Sequence, residues 1–211
     1  YPAVLRGWRE GGREAAKPLL DQGARLYLLV AVPAVAGLTA VALPMSRVLF
    51  AKGYDAGAPV IAYTALAMLF MGLTEYANKA YELEQSTVHV LQNSAIAAVI
   101  KVASSVVLLK TVGFTGGAMG SVVAFASYFL ITCVRVRRRF LFRVPVKNLV
   151  RIVFSAVLCG AAACACTMLP VSNLLRLVCA VPAGAVTYAA CIVLSGEGRG
   201  EMQAILHKLR R

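Results

Sequence analysis

Long apolar blocks alternate with short polar segments along most of the chain. Each block has roughly the 17 to 25 residues that a helix needs to cross the hydrocarbon core of a bilayer. The pattern predicts an all-α, polytopic membrane protein whose six transmembrane helices form one lobe. The spans are predicted at residues 26–45, 58–79, 88–109, 112–134, 152–171 and 174–194.

Two basic segments flank this predicted lobe of residues 26–194. Residues 1–25 combine basic and apolar positions, which predicts a cytoplasmic amphipathic lead-in, and residues 195–211 predict a basic tail on the cytoplasmic face. The chain begins with Tyr1 and shows no signal-peptide pattern. We interpret it as a fragment of a longer protein.

The composition supports a membrane class and excludes several others. With 60% hydrophobic and only 15% charged residues, the chain differs from ordinary soluble domains. The net charge of +13 comes from basic residues that flank apolar blocks without interleaved aromatic platforms. The expected partners are therefore membrane lipids, not nucleic acid.

The lysines and arginines also predict the orientation. Most of them fall on one face if the start of the chain is cytoplasmic. The positive-inside bias then puts both ends in the cytoplasm and the loops near Lys52, Lys110 and Ser172 outside.

No enzyme motif accompanies these spans. A nucleophile elbow, a zinc-protease helix, a phosphate-binding loop and paired intramembrane carboxylates are all missing from the sequence. The six cysteines lie inside apolar runs, which is typical of packing, and neither histidine has a ligand cluster around it in the sequence. We expect no enzymatic activity, no metal and no cofactor.

Small residues are concentrated in "VGFTGGAMGS" at the start of the fourth span. Gly113 and Gly117, and again Gly116 and Gly120, recur at a four-residue spacing that lets a neighbouring helix approach closely. The motif predicts tight helix packing in this region.

Lys101 lies deep inside the third span, roughly 20 Å from its inner end. A helical wheel places it on one polar stripe. Three interpretations are open: the stripe faces a substrate cavity, the ammonium has a partner outside this sequence, or it snorkels to the outer interface. The candidate cavity residues are Lys101, Asn93, Ser94, Ser104 and Ser105.

A second polar group closes the second span in "TEYANK". Glu75 and Lys79 have the spacing and order of a helical ion pair. With Tyr76 and Asn78 they could instead form a polar gate or a proton or sodium site. Both interpretations are open.

Two stretches resemble bacterial oligosaccharide flippases of the polysaccharide transporter family. They are "LYLLVAVPAVAGLTAVALPMSRVLFAKGYDAGAPVIAYTALAMLFMGL", with its proline-bearing helix and "LF-x-x-G-Y" turn, and "LLKTVGFTGGAMGSVVAFASY". That family shares a superfamily with lipid II flippases and multidrug exporters. The resemblance implies two six-helix lobes around a central cavity, of which this chain is the second and an N-terminal lobe is missing.

The resemblance also implies a function. Family members translocate polyprenyl-pyrophosphate-linked oligosaccharides across the bacterial cytoplasmic membrane for cell-surface polysaccharide biosynthesis, with Na⁺ or H⁺ as a possible coupling ion. Asn93 stands where the family often has asparagine, whereas Lys101 replaces a second one. The alternatives are an ion-coupled multidrug exporter and a membrane scaffold that does not transport.

Overall fold

The computed structural model describes residues 2–50, 55, 57–137, 141–168 and 170–194, and within these residues all regular structure is α-helical. Each helix is long and apolar enough to cross a membrane. The fold-class prediction of an all-α protein with six long apolar helices is confirmed. The predicted tail and Lys52 lie outside the described residues. The helices are α1 (Pro2–Leu49), α2 (Gly57–Leu83), α3 (Thr87–Val112), α4 (Gly116–Val136), α5 (Val146–Thr167) and α6 (Asn173–Leu194).

The lead-in and the first span belong to one helical element, α1. Its single interruption is Gly12, whose φ of 60° and ψ of −142° are readily adopted only by glycine. A Cβ placed on Gly7 would lie 3.1 Å from Leu19 Cδ1, although in a straight helix twelve residues span about 18 Å. The first turns of α1 therefore fold back onto the turns that follow Gly12.

The chain divides into two compact units, Tyr1–Ala31 with Ala56–Val144 and Val32–Asp55 with Pro145–Arg211. In the first unit α4 packs against both α2 and α3. Side chains from α1, α2 and α4 form a core that Val4, Leu5 and Trp8 border from the folded-back turns. The core consists of Ala16, Leu20, Ala80, Tyr81, Leu83 and Val136.

The second unit contains α5 and α6 with the last part of α1. Val41, Ala163 and Ala180 form its apolar cluster, and a Cβ on Gly184 would lie 3.2 Å from Cys159 Sγ. In the last turn of α1, Arg47 Nε donates to Oδ1 of Asp55, which lies beyond the helix end, at 2.7 Å. This hydrogen bond, with the attraction of the guanidinium, holds the pKa of Asp55 below its usual range.

Half of the predicted glycine motif forms the closest helix contact. A Cβ on Gly120 would lie 2.7 Å from Ser105 Cα, and one on Gly116 would lie 2.7 Å from the Leu109 nitrogen. A Cβ on Gly117 would meet nothing within 4 Å. The tight packing predicted for this motif is confirmed for the Gly116 and Gly120 pair, which brings α4 against α3.

The other pair of the motif has a different role. Gly113 ends α3 with a φ of 82°, and a Cβ placed on it would also meet nothing within 4 Å. Its backbone N–H caps the helix by donating to the carbonyl of Leu109. Gly113 is therefore required for the turn between α3 and α4 and not for helix packing.

Candidate functional site

The four predicted gate residues lie on two different faces of α2. Glu75, Tyr76 and Lys79 line a cavity of about 530 Å³, whereas Asn78 is buried on the side that faces α4. The split follows from the helical period, because residues 75, 79 and 76 occupy one arc of about 100° and residue 78 lies outside it, roughly 60° to the other side of residue 75. The structure therefore brings together three of the four residues.

The first part of α1 and the second half of α2 enclose this cavity. Most of its wall is apolar, and Gln22 is its polar side chain from α1. Glu75 lies about 12 Å along the helix from the end of α2 at Leu83. The remaining lining residues are Ala3, Val4, Leu19, Leu20, Gly23 and Leu26.

Tyr76 is positioned by aromatic neighbours on both sides. Its ring centroid lies 5.5 Å from that of Tyr27 and 6.4 Å from that of Phe142, the latter in an edge-on arrangement. Tyr27 Oη in turn lies 3.1 Å from the Leu69 carbonyl oxygen, to which it donates. Since a Cβ on Gly23 would lie 3.1 Å from Tyr76 Cε1, a glycine at position 23 lets α1 approach the ring.

Lys79 has a different carboxylate partner from the predicted one. Its Nζ lies 2.7 Å from Glu82 Oε2, one turn further along α2. Glu75 is exposed and makes no ion pair within the described part of the chain. Sequence spacing allowed both pairs, and the structure selects the one nearer the helix end, where water is accessible.

Two groups of polar side chains connect α4 to α2 and to α3, and their members are buried except for Arg135, which is exposed. Asn78 Nδ2 donates to Tyr128 Oη at 3.1 Å. Asn93 Nδ2 donates to Thr132 Oγ1 at 3.3 Å, and Arg135 donates to Asn93 Oδ1 at 2.6 Å. Both polar groups of the Asn93 side chain are therefore engaged within the first unit.

Sequence reasoning missed Tyr128, Thr132 and Arg135. For Tyr128 and Thr132 the available signal was a four-residue repeat along α4, whereas the exposed Arg135 lies outside this repeat. The buried positions of this helix recur at that interval, on one face. They are Gly116, Gly120, Ala124, Tyr128, Thr132 and Val136.

The ammonium of Lys101 lies over the ring of Phe125, 5.4 Å from its centroid. The residue is exposed and lies about 21 Å from the start of α3, so it stays within the length that crosses a membrane. A cation over an aromatic face is stabilised by the ring quadrupole. The sequence did not indicate that Phe125 would be a neighbour of Lys101. A substrate role for Lys101 stays a prediction.

The hydroxyls of Ser94 and Ser104 lie within hydrogen-bond distance of carbonyls in the preceding turn of α3, and Ser104 Oγ also lies 3.2 Å from the Gly120 carbonyl oxygen of α4. Ser94 donates to the Leu91 carbonyl at 2.9 Å, and Ser104 donates to the Ile100 carbonyl at 2.7 Å. Ser105 packs against Gly120 at the helix interface. Such bonds to the preceding turn satisfy a hydroxyl in an apolar environment. The stripe thus runs along the contact of α3 with α4.

No group of histidine, cysteine or acidic side chains that could hold a metal ion occurs among the described residues. Two charged features stand out among the described residues: an exposed cation on α3, and a carboxylate in the α2 cavity that makes no ion pair with any described side chain. Both suit the recognition of charged amphiphiles.

The model of one protein family, lipid II flippase MurJ, matches residues 3–181. The chain belongs to this family. No curated protein sequence matches the chain significantly. Among solved structures, the chain is similar to "Lipid II flippase MurJ, inward closed conformation", with a TM-score of 0.72 and 18% sequence identity. The match covers 95% of this chain and 43% of that structure, so the chain spans less than half of its length.

Membership of the MurJ family confirms the coarser part of the sequence-based assignment. The chain belongs to the lipid II flippases, which the sequence analysis placed in one superfamily with the oligosaccharide flippases, and the narrower assignment to the oligosaccharide flippases is not shown. The motifs that carried the resemblance are structural, since a proline-bearing helix and a glycine-rich helix entry serve packing. Such residues do not distinguish related substrates. The chain is a multi-pass membrane protein.

Proposed function

We propose that the protein containing this chain is a flippase that moves a polyprenyl-pyrophosphate-linked precursor of peptidoglycan across the cytoplasmic membrane. The observation that carries the proposal is the match of the MurJ family model to residues 3–181, on a fold similar to a MurJ structure. The six helices then supply part of the transporter, and the remaining helices of a longer chain complete it.

Lys101 is the residue that best fits the substrate's chemistry. A pyrophosphate carries negative charge that an ammonium inside the membrane attracts strongly, because little water screens the interaction. Lys101 is exposed, so its ammonium stays accessible to a ligand on the side that does not contact the Phe125 ring. We propose that this accessible side faces the path of the pyrophosphate.

Ion coupling is also part of the proposal. Glu75 is exposed in the cavity without an ion-pair partner in the described residues, so protonation or a bound sodium ion would compensate its charge. The same carboxylate supports the rival function of a cationic-drug exporter, since such a carrier needs an unpaired acid. The family match favours the flippase.

Reconstitution of the full-length protein into vesicles tests the function. Lipid II and a polyprenyl-pyrophosphate-linked polysaccharide repeat unit are supplied in parallel, and the fraction reaching the opposite leaflet is measured. We expect translocation of lipid II and little of the repeat unit. Transport of the repeat unit without lipid II would indicate a polysaccharide transporter instead. Export of a cationic dye alone would indicate a drug exporter, and no transport at all would indicate a scaffold.

A further inference from the structure

The cavity between α1 and α2 lies at the level of lipid headgroups. Ion pairs join Arg13 to Glu84 at 2.8 Å and Lys17 to Asp21 at 3.0 Å at this end of the first unit. The uncharged part of α1 begins only after residue 25. Charged pairs followed by an apolar run mark the boundary between headgroups and hydrocarbon on either side of a bilayer. The cavity is therefore placed to receive the polar end of a lipid.

Among the described residues, the wall of the cavity carries one charge that has no ion pair. Lys79 is neutralised by Glu82 at 2.7 Å, while Glu75 has no ion pair within the described residues. A carboxylate near the hydrocarbon is costly unless a cation or water satisfies it. The charge of the wall thus selects a cationic group and disfavours an anionic one.

Tyr76 adds a second element of cation recognition. Its ring lines the same cavity and is held by Tyr27 and Phe142, so it is already fixed in place before a ligand arrives. A carboxylate beside an aromatic face is a recurrent way to bind an ammonium group. Gln22 offers an amide to the same cavity from α1.

The opposite wall suits the apolar part of an amphiphile. Leu19, Leu20 and Leu26 line it, and Val4 closes it from the folded-back turns of α1. A volume of about 530 Å³ is enough for a phospholipid headgroup with its glycerol and the first methylenes of its chains.

We propose that this cavity binds the primary-ammonium headgroup of an ethanolamine phospholipid. Glu75 accepts hydrogen bonds from the ammonium, the Tyr76 ring lies beside it, and the leucines pack against the glycerol and upper acyl chains. The site does not include Lys101, past which the lipid-linked precursor is proposed to move. It shares Glu75 with the proposed ion coupling, so a headgroup ammonium and a coupling ion would compete for the same carboxylate.

Native mass spectrometry of the purified full-length protein tests the proposal with three lipids of identical acyl chains, bearing ethanolamine, choline or glycerol headgroups. We expect the wild type to retain the ethanolamine lipid most strongly. Glu75→Gln should weaken that binding about tenfold, as expected for the loss of one charge-assisted hydrogen bond, and leave the glycerol lipid unchanged. Glu14→Gln is the matched control, because Glu14 is exposed on α1 and does not line the cavity.

Two variants at the ring provide an independent check. Tyr76→Phe keeps the aromatic face and should retain the lipid, whereas Tyr76→Leu should weaken ethanolamine binding several-fold. Equal loss in the Glu14 variant, unchanged binding in the Glu75 variant, or a preference for the glycerol lipid would each overturn the proposal. The assay contains no lipid-linked precursor, so its failure leaves the flippase proposal standing.

Discussion

Lys101 is the residue whose position raises the sharpest functional question. Its ammonium contacts Phe125 from the middle of α3, where a charge is most expensive. The sequence gives the depth of this lysine, because depth follows from counting residues along a helix. Its neighbour could not be predicted, since that requires the relative register of two helices.

Charge and shape at position 101 can be separated by substitution. We expect Lys101→Arg to keep part of the transport activity, Lys101→Gln to lose most of it and Lys101→Glu to abolish it by repelling the pyrophosphate. Translocation of lipid II in vesicles measures the series, with membrane abundance determined for each variant. A Lys101→Leu variant that transports at the wild-type rate would remove this residue from the mechanism. Phe125→Leu serves as a control for the ring contact alone.

The hydrogen bond from Arg135 to Asn93 is expected to stabilise the first unit. Arg135→Ala leaves the buried Asn93 oxygen without its donor, which costs about 1 to 3 kcal/mol. Arg137→Ala, at an exposed position just beyond α4, should be nearly neutral. Thermal unfolding in the same detergent compares the two variants. Equal stability of both would show that the Asn93 oxygen finds water instead.

At the level of the helices, hydropathy predicts their number well and their ends less well. The lead-in was separated from the first span because its charges interrupt the apolar run, yet both belong to α1. Backbone hydrogen bonding continues through a change from amphipathic to apolar sequence, which hydropathy does not register. The fold-back at Gly12 is also hidden from hydropathy, since a single glycine carries no hydrophobic signal.

The contact of α3 with α4 gives a matched pair of glycine substitutions. Gly120→Ala should destabilise the protein by about 1 to 3 kcal/mol, because the added methyl group would overlap Ser105. Gly117→Ala should be neutral or stabilising by up to about 1 kcal/mol, since its methyl group enters open space and alanine favours the helix. Chemical denaturation measures both. Loss of stability in the Gly117 variant alone would reverse the assignment of the packed face.

For the molecule as a whole, the family could be approached from sequence only as far as the superfamily. The residues that decide between related lipid-linked substrates are few, whereas the packing residues that the superfamily shares are many. The carboxylate of Glu75 was identified from sequence, but its cavity was not, because the wall from α1 depends on the fold-back at Gly12.

The orientation of the chain stays a prediction that labelling can test. In a background without the six native cysteines, Lys110→Cys at the end of α3 should react with an impermeant thiol reagent in intact cells. Arg137→Cys, just beyond α4, should react only after the membrane is permeabilised. The opposite labelling pattern would show that the predicted topology is inverted.

The protein without its six native cysteines should still transport, because these side chains contribute packing alone.

The glycine contact has a mechanical consequence for the first unit. Backbones approach most closely where Gly116 and Gly120 meet α3, while the bulkier Asn93, Thr132 and Arg135 occupy the opposite end of the same helix pair. The two helices are therefore held together by close backbone contact near one end and by polar side chains near the other. Since about 25 Å of helix separates the glycine contact from Arg135, a rotation of only a few degrees about that contact would move Arg135 by roughly 2 Å, enough to break its hydrogen bond to Asn93. Small changes in crossing angle are thus amplified at the end where these polar side chains lie.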